Sequence, residues 1–463
     1  MSFDYLHQNL DSLSPKERDS FIRYCDSLDS DISQVALKVI NSQDFANDSI
    51  SPLENVLTSK VASLSQEERT ALFNSGMSFI AANKAAVVIL AGGQGTRLGF
   101  DHPKGMFDIN LPSKKSIFQI HSEKILRLCK LSGGSVPLCI MTSPINDNET
   151  RTFFIKNNYF GLDSDSVYFF IQGSLPAFYP DGSLILEKPG LVAQSPDGNG
   201  GVFKALQTSG VLDKLKTRGV EGLFLMSVDN VLARPADPTF IGFCTDNSLE
   251  CANLCTERVN PMEAVGVMGV RNNLPSVIEY SELTEDQRFS VLDGKSLLFN
   301  AANIAMHWFS CDLISKIVAK SHLLPYHKAH KKIPYWDASS SSTVSPTCPN
   351  GYKLEMFVFD AFAAIDSMSQ FGCMIVDRKE IFAPVKNAKG VDSPDSAREM
   401  ILELHKKWLL PNLNEEVSSN DELVVEISPL VSYCGEGLDN VNVPNGGVHI
   451  LEVVDGKVLF VSQ

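Results

Sequence analysis

A strand-like run ending at Leu90 leads into Ala91-Gly92-Gly93-Gln94-Gly95-Thr96-Arg97-Leu98-Gly99, and Pro103-Lys104-Gly105 follows shortly after. Glycine lets backbone N–H groups approach an anion closely and admits positive φ. Arg97 offers a planar fork of donors that matches phosphate oxygens, and Lys104 offers a compact point charge. The chemistry these types suggest is the handling of phosphate groups. The loop matches neither the Walker pattern nor Gly-x-Gly-x-x-Gly, which disfavours a P-loop ATPase and a dinucleotide-dependent dehydrogenase. The plain alternative is a tight strand-to-helix turn with incidental basic residues. Asp229 ends another apolar run and precedes Asn230. A carboxylate there suits Mg²⁺ held against phosphate oxygens, and it suits a turn or helix cap equally well. Lys386, on residue type alone, is a solvated surface charge.

Such a loop needs elements to position it. Ala85-Ala86-Val87-Val88-Ile89-Leu90 is continuous, apolar and β-branched in the middle, the pattern of a strand buried on both faces of a parallel sheet. Runs at 136–141 and 223–228 repeat it, and Ile117 to Leu128 reads as helix. Strands alternating with helices predict an α/β fold with a doubly wound, mostly parallel, Rossmann-like sheet. Ligands in such sheets gather at the carboxyl ends of the strands. Ahead of it, Ser14-Pro15-Lys16-Glu17 and Ser65-Gln66-Glu67-Glu68 carry the Ser-x-x-Glu capping box, so an N-terminal helical segment is expected. Asp337 to Gly351 is rich in Ser, Thr and Pro and reads as an exposed loop. Beyond Trp408, the runs 423–427, 448–454 and 458–461 read as strands separated by turns at 444–447 and at Asp455-Gly456, a small C-terminal β domain. The expected division is 1–84, 85–400 and 401–463, with no clear internal repeat.

Bulk composition narrows the function. With 463 residues, two or three domains are expected, and 44% hydrophobic with 21% charged residues is ordinary for a globular chain. A formal charge of −15 argues against a nucleic-acid binder, while a few cations focused in a cleft still accommodate anionic substrates. Met1-Ser2-Phe3-Asp4-Tyr5 shows no secretory pattern, and no run is long enough to span a membrane. Ten scattered cysteines suit reduced thiols in the cytosol. Cys244, Cys251 and Cys255 fit no zinc spacing and read as buried free thiols.

Taken with the strings that follow it, the glycine loop resembles the signature of the eukaryotic UDP-N-acetylhexosamine pyrophosphorylases. The resemblance continues through Gln172-Gly173, Pro196-Asp197-Gly198-Asn199-Gly200-Gly201, Val228-Asp229-Asn230, Val277 to Leu283, Ala302-Asn303-Ile304, Lys353-Leu354-Glu355 and Pro384-Val385-Lys386-Asn387. UDP-glucose pyrophosphorylases lack the Thr-Arg-Leu-Gly string. The resemblance implies a nucleotidyltransferase fold and transfer of uridylyl from UTP to N-acetylglucosamine 1-phosphate, with Mg²⁺ as cofactor. It implies that Arg97, Lys104 and Lys386 act on the phosphates, and that Ala91, Gly92, Gly93, Gln172 and Gly198 bind the nucleotide. It further implies that Asn199, Gly266, Glu279 and Asn303 form the sugar pocket and that Asp229 holds the metal. A cytosolic enzyme is expected, a monomer or weak homo-oligomer with no nucleic-acid or membrane partner. Two alternatives stay open: a broader UDP-sugar pyrophosphorylase accepting galactosamine or glucose substrates, and a non-catalytic nucleotidyltransferase-like subunit.

Overall fold

The computed structural model describes residues 10, 13–28, 31–42, 48–53, 56–292, 294, 296–320, 324–412, 423–439, 441–444 and 446–462. The expectation at residues 1–5 lies outside these, as does Asn445 of the expected turn at 444–447. The chain forms two compact units. One comprises Met1–Asp48, Gln172–Lys204 and Lys320–Ala361; the other comprises Ser49–Ile171, Ala205–Ala319 and Phe362–Gln463. The units interleave along the sequence instead of following boundaries near 84 and 400.

The larger unit is built on an eleven-stranded sheet. Its strands include β1 (Leu57–Lys60), β2 (Ala85–Leu90), β3 (Leu138–Thr142), β4 (Val167–Ile171), β5 (Gly222–Ser227), β6 (Cys251–Glu257), β7 (Val267–Arg271), β8 (Leu274–Ile278), β9 (Ala301–Ser310) and β10 (Phe371–Val376). The main order is β1-β10-β6-β9-β5-β2-β3-β4. Along this path only β9 runs against its neighbours, antiparallel to both β5 and β6. The sheet is therefore mostly parallel, as expected. Val87, Val88 and Ile89 of β2 are fully buried, so both faces of the strand are covered, each side chain contributing roughly 1.5–3 kcal/mol relative to exposure.

Helix α1 (Gln66–Ala81) begins with the expected capping box, in which the Ser65 hydroxyl accepts from the Glu68 N–H and Glu68 accepts from the Ser65 N–H. Its Ile80 joins the sheet's apolar core. Helix α2 (Ile117–Ser132) runs one turn beyond Leu128 and stops at Gly133, whose φ of 74° closes the helix. Strand β3 starts at Leu138, after Pro137, which has no N–H to give to a ladder.

The C-terminal strands β11 (Leu423–Ile427), β12 (Gly447–Val454) and β13 (Lys457–Ser462) form their own three-stranded sheet within this unit. Lys115 anchors it. Its ammonium reaches Glu123 at 2.7 Å, Glu452 at 2.7 Å and the Ser428 hydroxyl at 2.8 Å.

The smaller unit packs helices Pro15–Ser27 and Ile32–Asn41 with short strands around Phe21, Ala36, Phe178, Leu184, Val192 and Leu354. Its first helix also starts with the expected capping box, at Ser14 and Glu17. The segment 337–351 is exposed over much of its length but is not irregular. Tyr335–Asp337 pairs with Ser342–Val344, and the Asp337 carboxylate accepts the Ser339 and Ser340 N–H groups to tighten the turn.

Candidate active site

The glycine loop leaves the carboxyl end of β2 and folds back on itself. Ala91 N–H donates to Met141 O of β3, Gly95 N–H to His102 O, and Lys104 N–H to Gly93 O at 3.2 Å. Gln94 and Pro103 form an isolated bridge. These bonds place Arg97 and Lys104 on one short, braced loop. A Cβ built on Gly93 would meet nothing within 4 Å among the described residues, so none of them gives a steric reason for glycine there. Arg97 is exposed and has no hydrogen-bond or ion-pair partner among the described residues.

Asp229 emerges just past β5, beside β2 at the same carboxyl edge. Its carboxylate accepts from the Ser227 hydroxyl at 2.8 Å and lies 3.4 Å from Lys104 Nζ; both side chains are largely buried, at 14% and 16% exposure. Lys386 arrives from much later in the sequence. Val385 N–H donates to Asp229 O at 2.9 Å, and Asn230 bridges to Pro384. Asn230 holds that segment from both sides: its Oδ1 accepts the Ala383 N–H and its Nδ2 donates to Ile381 O. Lys386 itself is exposed, with Nζ 5.8 Å from the Phe382 ring centre. Lys104, Asp229 and the Lys386 segment therefore meet.

Three more predicted residues gather on the β7–β8–β9 side of the same unit. Asn303 N–H donates to Gly266 O at 2.8 Å, and a Cβ on Gly266 would sit 3.3 Å from Glu279 Oε1. Met306 of β9 pairs with Met226 of β5, so Asn303 lies past the carboxyl end of β5, the edge from which Asp229 emerges.

Gln172, Gly198 and Asn199 belong to the smaller unit. Gln172 Nε2 donates to Gly198 O at 2.7 Å, leaving its Oε1 as the amide's acceptor. Gly198 adopts φ 86°, and a Cβ there would overlap the Met356 backbone. Asn199 Oδ1 accepts the Val358 N–H at 2.9 Å. Asp197 between them is buried. Burial pushes its carboxyl up from 3.8 to about 6, with a hydrogen bond from Gln172 pulling the other way.

The profile of the UTP–glucose-1-phosphate uridylyltransferase family matches residues 29–441. The chain is 37% identical over 452 residues to the UDP-N-acetylglucosamine pyrophosphorylase of Saccharomyces cerevisiae, covering 94% of this chain and 93% of that protein. It is 37% identical over 450 residues to UDP-N-acetylglucosamine diphosphorylase 1 of Arabidopsis thaliana, covering 93% and 86%. The crystal structure of the Trypanosoma brucei uridine diphosphate N-acetylglucosamine pyrophosphorylase, in complex with an inhibitor, superposes with a TM-score of 0.81 at 31% identity, covering 95% and 92%. The chain belongs to the UDP-N-acetylglucosamine pyrophosphorylase family. The resemblance read from the motifs is borne out.

In this family member, several residues at the site carried no signal that the motifs isolate. Asn146 is fully buried after β3, and its Nδ2 donates to Ala91 O at 3.0 Å and Gly93 O at 3.4 Å, tying down the glycine loop. Asn230 plays the same part for the Lys386 segment. Among the described residues no three His, Cys, Asp or Glu side chains cluster as a metal cage. Cys244, Cys251 and Cys255 are buried free thiols, as their spacing suggested.

Proposed function

We propose that the chain transfers the uridylyl group of UTP to N-acetylglucosamine 1-phosphate, giving UDP-N-acetylglucosamine and pyrophosphate. A sugar-phosphate oxygen attacks the α-phosphorus of UTP, and the bond from that phosphorus to the β-phosphate oxygen breaks. The observation that carries this reading is the meeting of Lys104, Asp229 and the Lys386 segment at the carboxyl edge of the sheet, in a chain related over nearly its whole length to enzymes so named.

The nucleophile is already an anion, so no general base is needed. The task is to bring two polyanions into line, which calls for positioning and charge neutralisation. We assign the amides of the Ala91-Gly92-Gly93 loop to the nucleotide, supported by the open face at Gly93. Arg97 is assigned to the β- and γ-phosphates, where its unengaged fork neutralises the leaving pyrophosphate. Lys104 is assigned to the α-phosphate and Lys386 to the opposite side of the phosphate chain. Gln172 and Gly198 are assigned to the uracil edge; Asn199, Gly266, Glu279 and Asn303 are assigned to the sugar.

Asp229 fits a Mg²⁺ ligand: it is a largely buried carboxylate, no metal cage forms around it among the described residues, and Mg²⁺ takes few protein ligands, completing its shell with phosphates and water. When bound, the ion would supply neutralisation of phosphate charge. Cytosolic residence is proposed on the ten cysteines, all free thiols. The test is pyrophosphate release from UTP, Mg²⁺ and N-acetylglucosamine 1-phosphate, with galactosamine and glucose analogues alongside and Arg97→Ala as control. Release well above the control, fastest with N-acetylglucosamine 1-phosphate, supports the reading. No release above the control overturns it.

A further inference from the structure

Two asparagines and a histidine interrupt the apolar sequences of β6 and β9. Asn253 and His307 are fully buried, and Asn303 lies beside Gly266. A backbone N–H fixes the direction of every hydrogen bond among them, because it can only donate. Ala305, held at φ 55°, gives its N–H to Asn303 Oδ1 at 3.1 Å. The oxygen of the Asn303 amide is thereby identified. Asn253 reaches that same oxygen at 3.4 Å, so it must present its NH₂ group, which also donates to Cys255 Sγ at 3.1 Å. Asn253 Oδ1 then faces His307 Nδ1 at 2.7 Å, so Nδ1 must carry the ring proton. His307 Nε2 is left bare, without a partner among the described residues. Burial keeps the ring neutral, with its pKa pushed down to about 3.

The series runs one way, from His307 through Asn253 to Asn303. The irregular register between β6 and β9 makes it possible: Leu254 pairs with Met306 but Cys255 pairs with Asn303, so two extra residues of β9 bulge out and turn Ala305 N–H back onto Asn303. At the far end Asn303 Nδ2 has no partner among the described residues.

We propose that Asn253 and His307 are positioning residues that lock Asn303 as a pure donor toward the sugar, opposite Glu279 as acceptor. The ligand group this arrangement selects is a pair of neighbouring sugar oxygens, one accepting and one donating. The inference rests on the assignment of Asn303 to the sugar pocket.

The test is Asn253→Asp, which keeps shape but removes the donor. A carboxylate there faces Asn303 Oδ1 with a second acceptor. At alkaline pH, where the introduced carboxyl is ionised despite its burial, the KM for N-acetylglucosamine 1-phosphate should rise about tenfold or more, while the KM for UTP holds. Lowering the pH protonates the introduced carboxyl, restores an O–H donor and should bring the sugar-phosphate KM back toward wild type. The surrounding groups do not produce this profile in the wild type: His307 is already neutral, the Cys255 thiol is pushed well above its usual range by burial, and Cys373 lies beyond Cys255 on β10. A purely structural role would lower thermal stability and raise both KM values without recovery at lower pH, and that outcome overturns the proposal. So does an unchanged sugar-phosphate KM while Asn303→Ala raises it. If Asn303→Ala itself leaves that KM unchanged, the sugar-pocket assignment fails and the inference with it. Should Asn253→Asp not fold, His307→Leu against His307→Asn decides the question. Asparagine keeps a donor near the Nδ1 position, so a raised sugar-phosphate KM in the leucine variant alone supports the proposal, and equal KM values in both overturn it.

Discussion

Replacing Lys104 by glutamine removes the cation held against Asp229 while keeping most of the side chain's length. Lys104 Nζ and Asp229 Oδ2 are 3.4 Å apart and both side chains are mostly shielded, so the ammonium acts in a partly desolvated setting. Two unit charges about 4 Å apart interact by roughly 4 kcal/mol at an effective dielectric near 20, and an α-phosphate at that reach would feel Lys104 with similar strength. Water at the exposed remainder screens part of this, leaving about 2–4 kcal/mol, or about 30- to 1000-fold in kcat/KM. The assay is initial-rate pyrophosphate release with UTP and N-acetylglucosamine 1-phosphate, run on Lys104→Gln, Asp229→Asn and the double variant. If the two residues serve one phosphate cluster, the double variant should lose much less than the product of the single losses. A Lys104→Gln enzyme within about threefold of wild-type kcat/KM would rule out a phosphate contact by Lys104.

Other outcomes follow from the same geometry. Asn146→Ala deletes two donors to the glycine loop and leaves Ala91 O without its side-chain partner, so the KM for UTP should rise about 5- to 30-fold with a measurable drop in Tm. Gly198→Ala should abolish UTP binding in calorimetry, because the new methyl overlaps the Met356 backbone at a positive φ. Lys115→Met leaves Glu123 and Glu452 without their cation and should cost about 3–5 kcal/mol in denaturant unfolding, with the C-terminal sheet loosening first in hydrogen exchange. Asp197 should make folding pH-dependent. Its carboxyl binds a proton more tightly folded, at about 6, than unfolded, at 3.8, so its stabilising contribution is complete below 3.8 and is lost as pH rises toward 6. The stability of the wild type relative to Asp197→Asn should therefore fall by about 3 kcal/mol across that window, as read from urea midpoints.

What could be read in the sequence was chemistry that acts locally. Strand β2 declared itself through a continuous apolar run because both of its faces are covered, and Ser65 and Glu68 declared their helix because the cap is formed three residues apart. Lys386 was different. On its own it is a surface lysine, and it comes beside Asp229 through backbone bonds from Val385 and the grip of Asn230 on residues 381 and 383. Asn146, Asn253 and His307 were silent because a buried polar residue inside an apolar strand or turn gains meaning only from its partner, and those partners lie some fifty residues away. The reversal of β9 was hidden too. Its residues are buried on both sides like those of the parallel strands, so burial pattern carries no information about direction. The helical N-terminal segment was legible as helices but not as parts of two units, since a division of 1–48 from 49 onward depends on long-range packing.

Arg97, Lys104 and Lys386 are assigned to one UTP phosphate chain, Arg97 at the end that leaves as pyrophosphate. Calorimetric titration of UTP and of pyrophosphate into wild type, Arg97→Ala, Lys104→Gln and Lys386→Gln separates these roles. Each variant should bind UTP about tenfold or more weakly while holding its Tm without ligand, and Arg97→Ala should weaken pyrophosphate binding as well. Wild-type affinity for UTP in all three would contradict the assignment.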